Sequence, residues 1–266
     1  MVPFQIYEYM NSLAYVLLGV FAAAPCVLLP WFFQPPHEAK KPWYERHWVK
    51  ANVWVAVYSF IGNYFWTHYF YQLLGADYTF PSDYQRLNNV PFSMYLFTHA
   101  YFAFYHVVAN LLLRRTRRAL VLYSPVYTAL AQTGVIFILA YVLAFLETFT
   151  ISNFPYYTHT DKARMYTVGS LFYAIYFFVS FPLFYRIDEG ASVVSPFFSG
   201  KGVKGSIGQA STNTWTAGSA FMDSMAAGMI CTIILDLWRL VLGGITKTTA
   251  KRGIRSGIIW AFGSQK

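Results

Sequence analysis

The sequence predicts an all-α fold, a polytopic transmembrane bundle of about six helices. Three observations carry this. Of the 266 residues, 56% are hydrophobic and 12% are charged. That charged share is about half that of an ordinary soluble domain, and a soluble fold of this size has too much surface to cover with so few charges. Mean hydropathy is +0.37, and six apolar stretches reach about the 20 residues that cross a bilayer.

The stretches fall at 10–33, 48–74, 90–113, 126–151, 165–185 and 221–242. The first is long enough to span the membrane and reads as a helix, not as a cleaved signal. The second and third are rich in Tyr, Phe and Trp, which suit interfacial belts and an aromatic interior. The third closes on the cluster Arg114 to Arg118. The fourth carries Glu147 near its end. The sixth carries Asp236 and Arg239, three residues apart and placed to pair. We expect one helical domain over 1–243, a flexible Gly/Ser-rich loop at 199–219 and a basic tail at 244–266.

The net charge of +9 lies mostly between these stretches. No RNP motif, zinc-finger spacing or separate basic domain is present, so nucleic acid is not an expected partner. Lys40, Lys41, Arg46 and Lys50 mark the first loop, the arginine cluster the third, and Lys201 and Lys204 the fifth. The positive-inside rule places these loops in the cytoplasm. Six crossings would put the basic tail on the opposite side, against its charge. The cysteines, Cys26 and Cys231, lie within apolar stretches, which argues against a disulfide framework.

Ionisable groups at membrane depth usually face the interior of a bundle. His99, His106 and Asn110 fall on one helical face, with small Ala103 between the histidines. Their line runs about 16 Å, enough for the wall of an elongated pocket. Asn52, Ser59, Asn63 and Thr67 form a second polar stripe, and His68 lies off it. The two aligned histidines are about 10 Å apart, too far to share one metal ion, and no HxxHH or HxxxH box occurs. No metal is expected. An intramembrane histidine commonly ties helices together, so a structural role stands beside a chemical one at each.

Blocks of sequence then carry a resemblance. RHWVKANVW (46–54), GNYFWTHYF (62–70), GADYTFPS (75–82) and NNVP (88–91) occur in order. FTHAYFAFYHVVAN (97–110), FLETFTISNFPYY (145–157), GSLFYAIYFFVSFP (169–182) and TIILDLWRLVLG (232–243) come after them. From about Pro42 to Gly243 the chain resembles the cycloeucalenol cycloisomerases, or cyclopropyl sterol isomerases. Family members carry further hydrophobic sequence ahead of a segment like MVPFQIYE, and the Gly/Ser-rich loop and basic tail depart from the family pattern.

The resemblance implies a multi-pass endoplasmic-reticulum enzyme that opens the cyclopropane ring of cycloeucalenol to give obtusifoliol, with no cofactor. Its partners would be the sterol and the bilayer. Such chemistry needs an acid, a base and a water-poor, cation-tolerant pocket. Glu147 is the first candidate acid, since desolvation keeps a buried carboxyl protonated. His99 and His106 are candidate bases or relays, with His68 next. Trp66, Tyr101 and Tyr105 are candidate aromatics for the sterol or its cation, and Asn110 extends the pocket wall. Two other readings stay open: a non-catalytic sterol-binding or transport protein, and a proton-coupled transporter.

Overall fold

A computed structural model describes residues 4–81, 83–160, 162–187 and 215–242. Six helical rods account for most of them. Helix α1 is Ser12–Phe32, begun by the Asn11 side chain, which accepts from the Ala14 N–H at 2.9 Å. Helix α2 runs over 47–74 in three pieces: His47–Ile61, a π-helical turn at Gly62–Trp66, and Thr67–Leu74. Helix α3 is Phe92–Ala119 and α4 is Pro125–Ile151. Helix α5 covers 162–185, with a second π-helical turn at Met165–Gly169. Helix α6 is Ala217–Leu242.

Five of the helices are long and apolar enough to cross a membrane, at Ser12–Phe32, Phe92–Ala119, Pro125–Ile151, Met165–Tyr185 and Ala217–Val241. The π turn divides α2 into pieces of 15, 5 and 8 residues, none of which spans alone. The protein is a multi-pass helical membrane protein. Helix α5 is its centre: 72% of its spanning window is buried, against 11% for α1 and for α4, whose outer faces are left for lipid.

Small residues bring the helices together, as is usual where lipid leaves no hydrophobic drive between them. Ala140, Ala144 and Thr148 form the buried stripe of α4 against α5. A Cβ on Gly228 of α6 would lie 2.6 Å from the Ile61 Cδ1 of α2, so a larger residue there would require the Ile61 side chain to shift. Arg239 and Asp236 pair at 2.8 Å, as their spacing predicts, and Tyr69 donates to the same carboxylate oxygen at 3.1 Å.

Two helix ends differ from the sequence expectation. Helix α3 runs through the arginine cluster to Ala119 and does not stop at 113. Arginines suit a helix C-terminus, where they meet the negative end of its dipole, and their long stems let the charge reach the interface. Helix α6 begins at Ala217, because the Thr216 hydroxyl accepts from the Ser219 N–H at 3.1 Å and caps it. Residues 199–214 of the expected loop and the tail at 244–266 lie outside the described residues.

The connections at one end of the bundle build a cap. Strand β1 (Asp77–Tyr78) pairs antiparallel with β4 (Tyr157–Thr158), joining two loops distant in sequence. Strands β2 (Arg86–Leu87) and β3 (Val90–Pro91) form a hairpin. Its two-residue turn puts Asn88 and Asn89 at φ 49° and 60°, the left-handed geometry of a type I′ turn that asparagine tolerates. Tyr15, Phe80 and Tyr84 are buried beside them, with Tyr7 and Tyr156 packed against the cluster.

Candidate functional site

A cavity of about 80 Å³ lies beneath this cap, among α2, α3, α4 and α5. Tyr78 and Tyr157 of the β1–β4 ribbon line it from above. Phe70, Phe102, Tyr173 and Tyr176 supply aromatic walls, and Asn63, Thr67, Thr98, Glu147 and Thr148 supply the polar groups. Both π-helical turns reach it, through Gly62 and Asn63 on α2 and Met165 on α5. Such turns re-aim side chains and gather at functional sites. Asn63 is held by two partners: its amide donates to Ser59 O at 3.0 Å, and its Oδ1 accepts from the Thr98 hydroxyl at 3.3 Å.

Glu147 is the carboxyl of this cavity. Helix α4 carries it one residue before buried Thr148, so it faces inward beside the α5 contact. The hydroxyls of Tyr173 on α5 and Tyr105 on α3 face its carboxyl group. Its Oε2 is buried with no hydrogen-bond partner. Such a group has spare acceptor capacity turned toward the cavity.

The histidines go elsewhere. His106 is fully buried, boxed by Trp54, Tyr58, Phe102, Phe181 and Phe184. Its Nδ1 lies 2.6 Å from Phe102 O; a carbonyl only accepts, so Nδ1 carries the proton. His99 Nε2 lies 3.1 Å from Asn52 Oδ1. The Asn52 amide nitrogen donates to Cys26 O at 3.0 Å and Trp48 O at 2.8 Å, which fixes the amide orientation and makes His99 the donor. His99 therefore closes a tie across α3, α2 and α1. His68 Nε2 lies 3.1 Å from Asn88 O and clamps the hairpin turn. None of the three lines the cavity.

The aromatic candidates divide similarly. Tyr105 is beside Glu147. Tyr101 stacks on Tyr105, with ring centroids 6.3 Å apart and planes 14° apart, and is 50% exposed. Trp66 is fully buried and donates through Nε1 to Thr232 Oγ1 at 2.8 Å. Asn110 lies outside the cavity lining, with Oδ1 buried and unpartnered.

Sequence reasoning did not single out Tyr78, Tyr157 or Tyr173. All three sit inside the blocks GADYTFPS, FLETFTISNFPYY and GSLFYAIYFFVSFP. Those blocks are the signal that could have found them. Among the described residues no group of three or more His, Cys, Asp or Glu is placed to hold a metal ion. Asp223 was also unmarked; it pairs with Arg186 and accepts from Trp54 Nε1 at 2.8 Å, away from the cavity.

Fold and site together define a polytopic membrane protein with one carboxyl set among tyrosines in a narrow aromatic cavity. The chain is 42% identical over 260 residues to the cycloeucalenol cycloisomerase of Arabidopsis thaliana, covering 97% of this chain and 85% of that one. It belongs to the cycloeucalenol cycloisomerase family. No family model and no solved structure matches it.

Proposed function

We propose that this protein opens the cyclopropane ring of cycloeucalenol to give obtusifoliol, in the membrane of the endoplasmic reticulum. The observation that carries the mechanism is the Glu147 carboxyl, buried in an aromatic cavity with Oε2 unpartnered. Glu147 gives its proton to the bridging methylene carbon. The electron pair of the breaking ring bond forms the new C–H bond, and the methylene becomes a methyl group. Cationic character is left at a ring-junction carbon, where the faces of Phe102 and Tyr176 stabilise it without adding to it.

A base then removes a proton from the neighbouring carbon, and that C–H pair becomes the ring double bond. The cavity lining includes one carboxyl and no histidine. The carboxylate left on Glu147 by the first step is therefore the group placed to take the second proton. Tyr105 and Tyr173 hold it in position between the steps. Atoms balance within the substrate, so no oxidant or reductant enters.

The test is conversion. Microsomes containing the protein are given cycloeucalenol, and sterols are read by mass spectrometry against retention standards. Obtusifoliol above an empty-membrane control is expected. Binding of the sterol without conversion would replace this reading with that of a sterol-binding or transport protein.

A further inference from the structure

The cavity, at about 80 Å³, is well below the roughly 300–1,000 Å³ of pockets that enclose a whole drug-sized ligand. A sterol-sized ligand must part some of its walls. The aqueous side is closed by the β1–β4 ribbon, which Thr79 extends by donating to Tyr156 O at 2.8 Å. The side toward lipid is different. Helix α4 has its spanning window only 11% buried. At its far end it is tied to α3 by Gln132, whose amide donates to Leu113 O at 3.3 Å. Beside the cavity, on the α3 side of the α3–α4 seam, stand Tyr105 next to Glu147 and, one turn nearer the cap, Tyr101. One ring is half-exposed to the bilayer, the next is stacked on it, and its hydroxyl faces Glu147. An unbroken side-chain line thus runs from the lipid surface to the reacting carboxyl.

We propose that Tyr101 and Tyr105 are the two leaves of a lateral portal between α3 and α4, through which a cyclopropyl sterol enters directly from the bilayer. The identity of the ligand rests on the isomerase reading; the portal rests on the seam. Tyr101 is the outer leaf and touches the sterol on entry. Tyr105 is the inner leaf: it swings from Glu147 to admit the sterol and closes on the carboxyl again before the first proton moves.

The test blocks the seam reversibly. In a Cys26→Ser background, Tyr101→Cys is modified in vesicles with a lipid-soluble alkyl methanethiosulfonate. Ile138→Cys, 69% exposed on α4, is the lipid-facing control. Modification at 101 should cut the initial rate of cycloeucalenol conversion about tenfold, reductant should restore it, and the control should lose less than about twofold. Cycloeucalenol in the vesicles should slow modification at 101 about fivefold without affecting position 138, a readout that requires no turnover. Complete modification at 101 with unchanged conversion, equal loss at both positions, or modification indifferent to the sterol would overturn the portal. Protection at 101 without conversion by the wild-type protein would overturn the isomerase reading and leave the portal standing.

Discussion

Pro30 lacks a backbone N–H, so within α1 the carbonyl four residues earlier, Cys26 O, loses its helical donor. Asn52 of α2 supplies a replacement at 3.0 Å, and its own Oδ1 takes the His99 ring N–H at 3.1 Å. Asn52→Ala strands both groups. A buried group left unsatisfied costs about 1–3 kcal/mol in soluble proteins. Hydrogen bonds between membrane helices average about 0.6 kcal/mol, because the unfolded chain in the membrane finds other partners. Two stranded groups at values between these limits give a loss of about 2 kcal/mol. Pro30→Ala returns the missing donor, so in that background Asn52→Ala should cost about 1 kcal/mol less, a coupling within the range for residues sharing a network. The assay is the unfolding free energy of all four proteins by SDS titration in mixed micelles. Additivity within about 0.3 kcal/mol, the behaviour of independent sites, would refute the reasoning.

Asp223→Ala removes the buried partner of a partly buried ion pair and strands both Arg186 and the Trp54 N–H. It should lower stability by about 3 kcal/mol in the same titration, with Asp223→Asn losing less because it keeps an acceptor. Outside the membrane, burial pushes the Glu38 carboxyl up. The His47 N–H it accepts at 2.7 Å, together with Lys41 and Lys50, outweighs that and holds it below its ordinary range. The folded pKa is depressed, so the stabilisation is complete above the unfolded value of about 4.3 and fades as pH falls through the folded one. Unfolding measured from neutral pH downward should show that loss in the wild type and a flatter profile in Glu38→Gln. In buffered heavy water, obtusifoliol should gain deuterium on its new methyl group. If Glu147 takes the second proton and reuses it before solvent exchange, mass spectrometry will show incorporation below one deuterium per product. Complete incorporation at every substrate concentration would show that the second proton is never reused, whether it exchanges with solvent or goes to a separate base.

Much of the fold was legible because bilayer thickness sets a minimum apolar length and ionic groups avoid its core. The pairing of Asp236 with Arg239 was legible too, since three residues of helix fix their proximity. The π-helical turns were not. Each inserts an extra residue into a turn and rotates the rest of the helix about its axis, and nothing in GNYFW or MYTVG announces this. The polar stripe on α2 divides along its length: Asn63 and Thr67 line the cavity, while Asn52, about 16 Å further along the axis, answers Pro30.

For the site, helical periodicity put His99, His106 and Asn110 on one face, but it could not say which neighbour that face meets. His106 meets five aromatic rings and His99 meets an asparagine. The tie that explains His99 depends on a proline in another helix, a link visible only once α1, α2 and α3 are assembled. Glu147 stood out in the sequence because a carboxyl in so apolar a stretch is costly to keep, and the structure sets it in the cavity lining.

The central claim is that Glu147 moves the proton. Conversion of cycloeucalenol by the wild-type protein and by Glu147→Gln, at matched expression in the same membranes, tests it most directly. The amide keeps the size and neutrality of the protonated side chain but does not act as the acid. The account predicts obtusifoliol from the wild type and a fall of about a hundredfold to ten-thousandfold in the variant, the range for losing a general acid–base. Obtusifoliol formed by Glu147→Gln at a rate near that of the wild type would contradict it.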